Sequence, residues 1–337
     1  MRVAQSTPDD RIRVVYIMGA GRSGSTVLDV ILGSHPEVFG TGELIHIFRE
    51  EALHRANCAC GEARDACPLW TQVRARWCEL TGQSAITDHR ELHRRFCNIQ
   101  SFDLGLRSWM RLRRRPTRQS PSLTECLNQT VALYRAIAET SGQRVIVESS
   151  KNPLRARLLC LIPELDVRLV HLVRDARGVA WSRMKALHQS RESGIPREIP
   201  SKPVTVSAAY WALMNGYSEQ VCRLFPDRPS VRIHYEDFVA FPTDTLNALG
   251  ELASLDFSQV AMQLAAGEPM NPGHLYAGNR VRTAGPIHLK QDCEWAHNLT
   301  PRQQRIIWAL TARQMNRYGY PRSLDFESVK QDEQVAA

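Results

Sequence analysis

The stretch VVYIMGAGRSGSTVLDVILGS, from Val14 to Ser34, decides the fold of this chain. A short apolar run of β-branched residues meets a turn rich in glycine and serine, and an apolar helical pattern follows directly. The turn is close to the phosphate-binding pattern G-x-x-x-x-G-K-[ST], with Gly19 and Gly24 at the required spacing and Thr26 at its end. Ser25 occupies the position of the usual lysine. The stretch therefore predicts a strand, an anion-binding loop and a helix, without the lysine that contacts a nucleoside triphosphate.

Three further segments have the signature of buried parallel strands, because they are short, β-branched and free of polar alternation. Together with Val14–Met18, the predicted strands are Val145–Val147, Val167–Val173 and Val231–His234. Each is followed by a loop and a helical pattern, and this recurrence indicates a parallel sheet covered by helices. We predict a P-loop NTPase-like three-layer α/β/α fold, with a ligand site at the carboxyl ends of the strands.

The remaining segments indicate one domain that contains an insertion. We predict a single domain over residues 1–325, a helical insertion or cap at 50–142, and a polar tail at 326–337 that frays. The insertion is rich in arginine and has few strand signals. Ser207–Phe225 and Pro301–Tyr318 have the periodicity of amphipathic helices, and Thr300 is predicted to cap the second of them.

Composition limits the class of protein. The 337 residues carry 43 Lys and Arg against 35 Asp and Glu, which gives a net charge of +8 and favours an anionic ligand. No zinc-finger, RNP or basic-zipper pattern supports a nucleic-acid partner. No apolar run reaches the roughly 18 residues of a membrane span, and Met1–Asp10 lacks the apolar core of a secretory signal. The nine cysteines therefore predict thiols in a reducing compartment, and we expect a cytoplasmic protein.

The glycine-rich loop offers many donors to an anion. Backbone N–H groups at a helix N-terminus bind oxyanions, and Gly21 and Gly24 permit a close approach of the backbone. Three hydroxyl groups and one guanidinium add donors: Ser23, Ser25, Thr26 and Arg22. A magnesium triphosphate would require the missing lysine and an aspartate at the end of a strand. The loop therefore predicts a mononucleotide with one activated terminal group and no metal.

A second loop follows the strand that ends in the stretch LVHLVRDARGVAWSRMK. Arg174 lies at the carboxyl end of this strand, and Ser182 follows two helical turns later, so both can hold one phosphate. Asp175 is predicted to cap the helix, since aspartate accepts hydrogen bonds from the first N–H groups. Arg177 and Arg183 are predicted to lie on its solvated face.

In these two loops the chain resembles sulfotransferases that use 3′-phosphoadenosine 5′-phosphosulfate (PAPS), above all the bacterial branch related to carbohydrate and tyrosylprotein sulfotransferases. The resemblance implies that the stretch GRSGST, Gly21–Thr26, binds the 5′-phosphosulfate. It also implies that Arg174 and Ser182, within VRDARGVAWSR, bind the 3′-phosphate. The similar motifs extend from residue 14 to about residue 320 and so cover most of the chain.

Two later motifs extend the resemblance. The stretch HYEDF, His234–Phe238, is similar to a family motif that follows a strand, which implies that Tyr235 contacts the 3′-phosphate end of the nucleotide. The stretch GNRVR resembles a late family loop that closes over the donor. By this resemblance Asn279 and Arg282 belong to the donor site.

Sulfuryl transfer requires a general base and fixed cations, and it needs no metal. The resemblance implies that Glu43, in HPEVFGTGELIHIF, is the base, and that Lys151, in VIVESSKNP, stabilises the transferring group. Alternatively, Glu43 is only a carboxylate at a helix N-terminus. His35 and His46 are rival bases, whereas Glu37 is predicted to be solvated.

The residues around Lys151 have simpler predicted roles. Ser149 or Ser150 is predicted to cap the helix that begins near Pro153. Glu148 ends the strand, and whether it contacts the acceptor or holds Lys151 stays open.

Two further features stay open between alternatives. His54, Cys58, Cys60 and Cys67 lie within 14 positions and are potential zinc ligands, but the C-x-C spacing is unusual, so a structural loop with free thiols is favoured and a disulfide is the next alternative. The basic run Arg107–Arg118 is predicted to be a solvated helix face. Its interleaved apolar residues also fit contact with an anionic acceptor, a carrier protein or a membrane surface.

These observations predict an enzyme that moves a sulfuryl group from PAPS to a hydroxyl of a sugar, phenol, lipid or natural product. The alternatives are a nucleotide-dependent small-molecule kinase on the same loop, a nucleotide-binding regulator without turnover, and a basic adaptor for membranes or nucleic acid. The absent lysine disfavours a kinase, and a mere binder needs neither Glu43 nor Lys151.

Overall fold

The structure, a computed structural model, describes residues 11–48, 57–82, 110, 121–185 and 200–323. Three sequence predictions concern residues outside these ranges: the basic run Arg107–Arg118 apart from Met110, the candidate ligand His54, and the tail at 326–337.

A five-stranded parallel sheet forms the centre of the fold. Its strands are β1 (Ile12–Met18), β2 (Val38–Gly40), β3 (Val145–Lys151), β4 (Leu165–Val173) and β5 (Ser230–His234). They lie in the order β2-β3-β1-β4-β5, and every pair is parallel. The four predicted strands are confirmed. The sequence did not predict β2, because three residues are too few to show a periodicity.

At least one helix follows each strand. They are α1 (Ser25–Leu32), α2 (Pro68–Thr81), α3 (Pro121–Ser141), α4 (Pro153–Leu159), α5 (Ala176–Met184), α6 (Val204–Leu224), α7 (Tyr235–Ala240), α8 (Pro242–Ala253), α9 (Ser258–Ala265), α10 (Glu294–Asn298) and α11 (Pro301–Arg317). The two predicted amphipathic helices correspond to α6 and α11. Among the helices described here, none is long and apolar enough to cross a membrane.

Apolar layers cover both faces of the sheet. Side chains of β1 alternate between them, with Val14 and Tyr16 facing the layer that contains α2, α3 and α4. Val15 and Ile17 face the opposite layer, which contains α1, α8 and α9. This alternation confirms the three-layer α/β/α prediction, because a strand buried on both faces needs apolar residues at every position.

The described part of the predicted insertion is helical. Helices α2 and α3 pack against each other, and the Trp77 indole N–H of α2 donates to the Gln129 carbonyl of α3 at 3.2 Å. The division into one domain over residues 1–325 stays a prediction.

Helix caps confirm one prediction and correct another. The Asp175 carboxylate accepts a hydrogen bond from the Arg177 N–H at 2.7 Å and so caps α5, as predicted. The N-cap of α4 is Asn152, which accepts from two backbone N–H groups, so the prediction of Ser149 or Ser150 was wrong. The physical reason is that β3 continues through both serines to Lys151.

Candidate active site

The loop between β1 and α1 forms a helix-terminal anion site. Gly24 has a left-handed φ of 87° and directly precedes the first residue of α1. A Cβ at this position would lie 2.5 Å from a ring carbon of Tyr235, so the loop requires glycine there. Arg22 also has a left-handed φ, of 77°, which is strained for a residue with a side chain. The first N–H groups of α1 have no acceptor within the helix and are available to an oxyanion.

Tyr210 of α6 contacts this loop from the side. Its hydroxyl accepts a hydrogen bond from the Gly21 N–H at 3.1 Å. The guanidinium carbon of Arg183 lies 3.7 Å from the centre of the Tyr210 ring. The prediction of a solvated Arg183 was therefore wrong, because the neighbouring helix offers an aromatic face to the cation.

Arg177 is also not on a solvated face. It is 1% exposed and donates from Nε and Nη2 to the carboxylate of Asp175, the latter bond at 2.6 Å. The prediction failed because the capping carboxylate is itself buried and binds the guanidinium. Arg177 is thus part of the support of α5.

Positive charge is concentrated around the phosphate loop. Burial, with the charges of Arg280, Arg183 and Arg174, lowers the pKa of Arg22 below its usual value, and Glu43 opposes this shift. Three guanidinium groups within electrostatic reach of Arg22 favour a ligand with several negative charges.

Arg174 connects the loop with Tyr235, a second candidate residue. It donates to the Arg22 carbonyl at 3.2 Å and forms an ion pair with Asp292 at 3.0 Å. Its guanidinium carbon lies 4.5 Å from the centre of the Tyr235 ring. Ser182 lies on α5 and is half-buried. The structure therefore brings Arg174 and Tyr235 together, beside the helix that carries Ser182.

The late loop also contacts the phosphate loop. The Asn279 N–H donates to the Thr26 hydroxyl at 3.1 Å. Arg282 is buried and donates to the carbonyls of Gly278 and Asn57 at 3.0 and 2.9 Å, and burial lowers its pKa to about 10. Arg282 therefore holds the late loop in place, and its predicted contact with the donor stays a prediction.

Glu43 and Lys151, the two predicted catalytic residues, form an ion pair. The Lys151 Nζ lies 2.7 Å from the Glu43 Oε1 and 3.1 Å from the Ser149 carbonyl. The His46 Nε2 lies 3.1 Å from the second carboxylate oxygen. A Cβ on Gly21 would lie 4.0 Å from the Lys151 Cε. The pair is therefore next to the phosphate loop.

The ion pair controls the basicity of Glu43. Burial opposes ionisation, but the Lys151 charge and the His46 ring hold the pKa of Glu43 well below its ordinary value. Such a carboxylate is ionised throughout the neutral range and is a weak base while the ammonium remains beside it. Its strength as a base therefore depends on the position of the Lys151 ammonium.

Backbone hydrogen bonds fix the position of Glu43. Gly42 has a φ of 70°, and a Cβ on it would lie 2.1 Å from the Ala277 carbonyl oxygen. That carbonyl accepts from the Glu43 N–H at 2.8 Å, and the Asp29 carboxylate accepts from the Gly42 N–H at 2.9 Å. Asp29 is fully buried in α1, and burial raises its pKa to about 7. The turn that carries Glu43 is thus held on two sides.

Glu148 forms hydrogen bonds with buried residues of the core and not with the residues of the candidate site. Arg155 donates to its two carboxylate oxygens at 2.8 and 3.0 Å, and both side chains are fully buried. The hydroxyls of Tyr134 and Ser150 donate to the same carboxylate. Glu148 therefore does not hold Lys151.

Exposure and contacts distinguish the three rival bases. Glu37 is exposed, as predicted. The His35 ring bonds to the Glu37 N–H and the Asp256 carbonyl, both at 3.1 Å, and lies against Phe257, which is a structural arrangement. His46 contacts Glu43 directly and so belongs to the site.

Sequence reasoning missed several neighbours of the site. Tyr210 had no local signal, because its contact with Gly21 depends on how α6 packs. Asp29 did have one, since a carboxylate within the apolar helix VLDVIL is unusual and requires a buried partner.

Comparison with known proteins gives one family. A sequence model of the sulfotransferase family matches residues 15–259. The match covers the phosphate loop, Glu43, Lys151 and Arg174, and it ends before the late loop. No curated protein matches the chain.

Several solved structures are similar at low identity. The sulfotransferase domain of the Synechococcus PCC 7002 olefin synthase is 18% identical over 100% of this chain and 99% of its own, with a TM-score of 0.41. The sulfotransferase domain of the curacin biosynthetic pathway is 17% identical over 91% and 97%, with a TM-score of 0.47. Sulfotransferase STF9 from Mycobacterium avium is 14% identical over 94% and 78%, with a TM-score of 0.43.

Proposed function

This chain belongs to the sulfotransferase family, and we propose that it moves the sulfuryl group of PAPS to a hydroxyl of a small molecule or glycan. One observation carries the proposal: the Glu43–Lys151 ion pair lies beside a phosphate loop that has Ser25 in place of lysine. A loop that only bound a nucleotide would need no carboxylate–ammonium pair next to it.

The donors beside the loop suit a nucleotide that carries a 5′-phosphosulfate. Ser23 Oγ and Arg183 Nε are buried and have no hydrogen-bond partner within the described ranges. Buried polar atoms normally have partners, so these two are available to oxyanion oxygens. Arg22 adds a guanidinium that favours the same ligand.

We assign the two ends of the donor to different residues. The loop Gly21–Thr26 would hold the 5′-phosphosulfate, with backbone N–H groups and the Arg22 side chain. Arg174, Ser182 and Tyr235 would hold the 3′-phosphate, and the late loop with Asn279 and Arg282 would cover the nucleotide. When bound, PAPS supplies an activated sulfuryl group.

The catalytic roles follow from the ion pair. Glu43 accepts the proton of the acceptor hydroxyl while the acceptor oxygen bonds to sulfur and the bond from sulfur to the phosphate oxygen breaks. That phosphate oxygen keeps the electron pair, and Lys151 neutralises its charge. A Lys151 ammonium that contacted this oxygen instead of Glu43 would no longer lower the pKa of Glu43, and the carboxylate would then be a stronger base.

Calorimetric titration with 3′-phosphoadenosine 5′-phosphate (PAP) tests the donor. We expect micromolar binding that EDTA does not change, and no binding of ATP with magnesium. Arg22→Ala and Arg174→Ala should each raise the Kd about tenfold, because each removes a charge-assisted contact. Arg302→Ala is the control, since Arg302 is exposed on α11.

Other results would contradict the proposal in distinct ways. Magnesium-dependent ATP binding without PAP binding would indicate a kinase. PAP binding by a protein that consumes no PAPS with any hydroxyl acceptor of a broad panel would indicate a nucleotide-binding regulator.

A further inference from the structure

Four metal-ligating side chains meet at one point away from the phosphate loop. The thiols of Cys58, Cys60 and Cys67 and the imidazole of His274 place their ligand atoms within 4.8 Å of one another. Three of these residues were singled out by the sequence. The fourth, His274, is 207 positions from Cys67 and enters only through the fold.

Three of the six separations between the ligand atoms are close to those around a tetrahedral ion. Zinc bonds of about 2.3 Å to sulfur and about 2.1 Å to nitrogen imply edges of about 3.8 Å between sulfurs and about 3.6 Å from sulfur to nitrogen. The Cys60 and Cys67 sulfurs lie 3.7 Å apart. The His274 Nδ1 lies 3.4 Å from the Cys67 sulfur and 3.9 Å from the Cys58 sulfur.

The backbone around the cysteines is already organised for ligation. The Cys58 N–H donates to the Glu62 carbonyl at 2.8 Å, and the Gly61 N–H donates to the Cys58 carbonyl at 3.0 Å. Gly61 has a left-handed φ of 96°, so the turn that carries Cys58 and Cys60 depends on this glycine. Cys67 is the N-cap of α2, so the start of this helix fixes its position.

Independent contacts bring His274 to the cysteines. The Trp70 indole of α2 donates to the His274 carbonyl at 2.6 Å. The Ala59 N–H, between two of the cysteines, donates to the Leu275 carbonyl at 3.1 Å. The four ligands are therefore positioned by two chain segments that contact each other directly.

A nearby buried cation fits an anionic metal centre. Arg282 is 2% exposed, and its hydrogen bonds within the described ranges go to backbone carbonyls, one of them that of Asn57 beside Cys58. A zinc ion with three thiolates and one neutral imidazole has a net charge of −1, because three negative ligands exceed the ionic charge by one. Such a centre would offset the buried charge of Arg282.

We infer that Cys58, Cys60, Cys67 and His274 bind a structural zinc ion. Thiolate and imidazole ligands in a tetrahedral arrangement select Zn²⁺, and four protein ligands leave no position for a substrate. A disulfide would use two of the three sulfurs and give the third sulfur and the imidazole no role. The ion would link the segment that begins α2 to the segment that precedes the late loop.

The zinc ion would act on the catalytic turn only indirectly. The Tyr276 N–H, two residues after His274, donates to the Thr41 carbonyl at 2.9 Å, and Ala277 accepts from the Glu43 N–H. Loss of the ion would loosen this segment. The effect on catalysis rests on the proposed function, whereas the metal site itself does not.

Metal content tests the site without reference to activity. The full chain, freed of any purification tag and kept reduced, is desalted and its zinc measured by mass spectrometry. We expect about one zinc per chain. Cys60→Ser and His274→Asn should each retain less than about a tenth of that amount, while the control Cys222→Ser, at a half-buried cysteine outside the cluster, should retain all of it.

Cobalt substitution identifies the ligand type. The wild-type chain loaded with Co²⁺ should show the intense visible bands of a tetrahedral ion and a thiolate charge-transfer band. Absence of zinc after expression with supplementary zinc, with all three thiols reactive, would overturn the inference. A mass lower by one pair of hydrogens that a reductant restores would overturn it in favour of a disulfide.

Discussion

The Lys151 ammonium donates to the Glu43 carboxylate at 2.7 Å, although the two residues are 108 positions apart. They meet because β2 pairs with β3, so that the turn after β2 lies beside the end of β3. Lys151 reaches this position in a left-handed conformation with a φ of 63°, which is strained outside glycine. The side chain of this strained residue contacts the candidate base directly.

Replacement of the candidate base tests its role. Glu43→Gln keeps the shape of the side chain and removes the proton acceptor, so we expect kcat to fall by about 10²- to 10⁴-fold. The Kd for PAP, measured by calorimetry, should change by less than about threefold, because the donor contacts are made by other groups.

Glu37→Gln is the matched control, since Glu37 lies on the same chain segment and is exposed. Its kcat should equal that of the wild type. If Glu43→Gln is as active as the wild type, the base lies elsewhere, and His46→Ala becomes the next variant to measure.

Removal of the Lys151 charge should change the pH profile. Lys151→Met takes away the cation that holds the pKa of Glu43 low, so that pKa rises, and the acid limb of kcat/KM moves to higher pH. We also expect kcat to fall about 10²-fold or more, because the departing oxygen loses its counter-charge.

Lys151→Arg tests whether a positive charge alone is sufficient to keep the pKa of Glu43 low. It keeps a cation beside Glu43, so the acid limb should remain near its wild-type position. The measurement is kcat/KM between about pH 5 and 8 for all three proteins. Identical profiles would show that Lys151 does not control the base.

The Glu148–Arg155 pair should contribute to stability and not to donor binding. Glu148→Leu leaves a fully buried guanidinium without its carboxylate, which costs about 3–5 kcal/mol in the free energy of unfolding. Glu139→Leu breaks an exposed ion pair with Arg76 and should leave the free energy of unfolding nearly unchanged, because solvent screens exposed pairs. Urea unfolding compares the two, and equal losses would contradict the buried-pair interpretation.

Asp29 should make the fold less stable as the pH rises. Its pKa of about 7 in the folded chain exceeds its ordinary value of 3.8, so between these values the folded state holds a proton that the unfolded state releases. Stability therefore falls as pH rises from about 4 to about 7. Asp29→Asn cannot ionise and should lack this component.

The measurement is the difference in Tm between Asp29→Asn and the wild type at each pH from about 5 to 8. This difference cancels the contribution of other groups, among them Glu236, whose pKa burial also raises to about 7. A difference that does not grow with pH would contradict the assignment.

The sequence by itself determined the strands β1, β3, β4 and β5, the phosphate loop and the caps of α5 and α11. These features depend on neighbours within a few positions: apolar runs, glycines that permit a left-handed φ, and side chains such as Asp175 and Thr300 that accept from nearby N–H groups. A local pattern is sufficient for each of them.

Tertiary structure alone decided which distant side chains meet. The contact of Tyr210 with Gly21 joins residues 189 positions apart. Packing also brings His274 to the cysteines. It likewise places Glu148 beside Arg155 and not beside Lys151. Such contacts follow from sheet register and from the burial of charge, because a buried ion without an oppositely charged partner is strongly destabilising. No local periodicity carries that information.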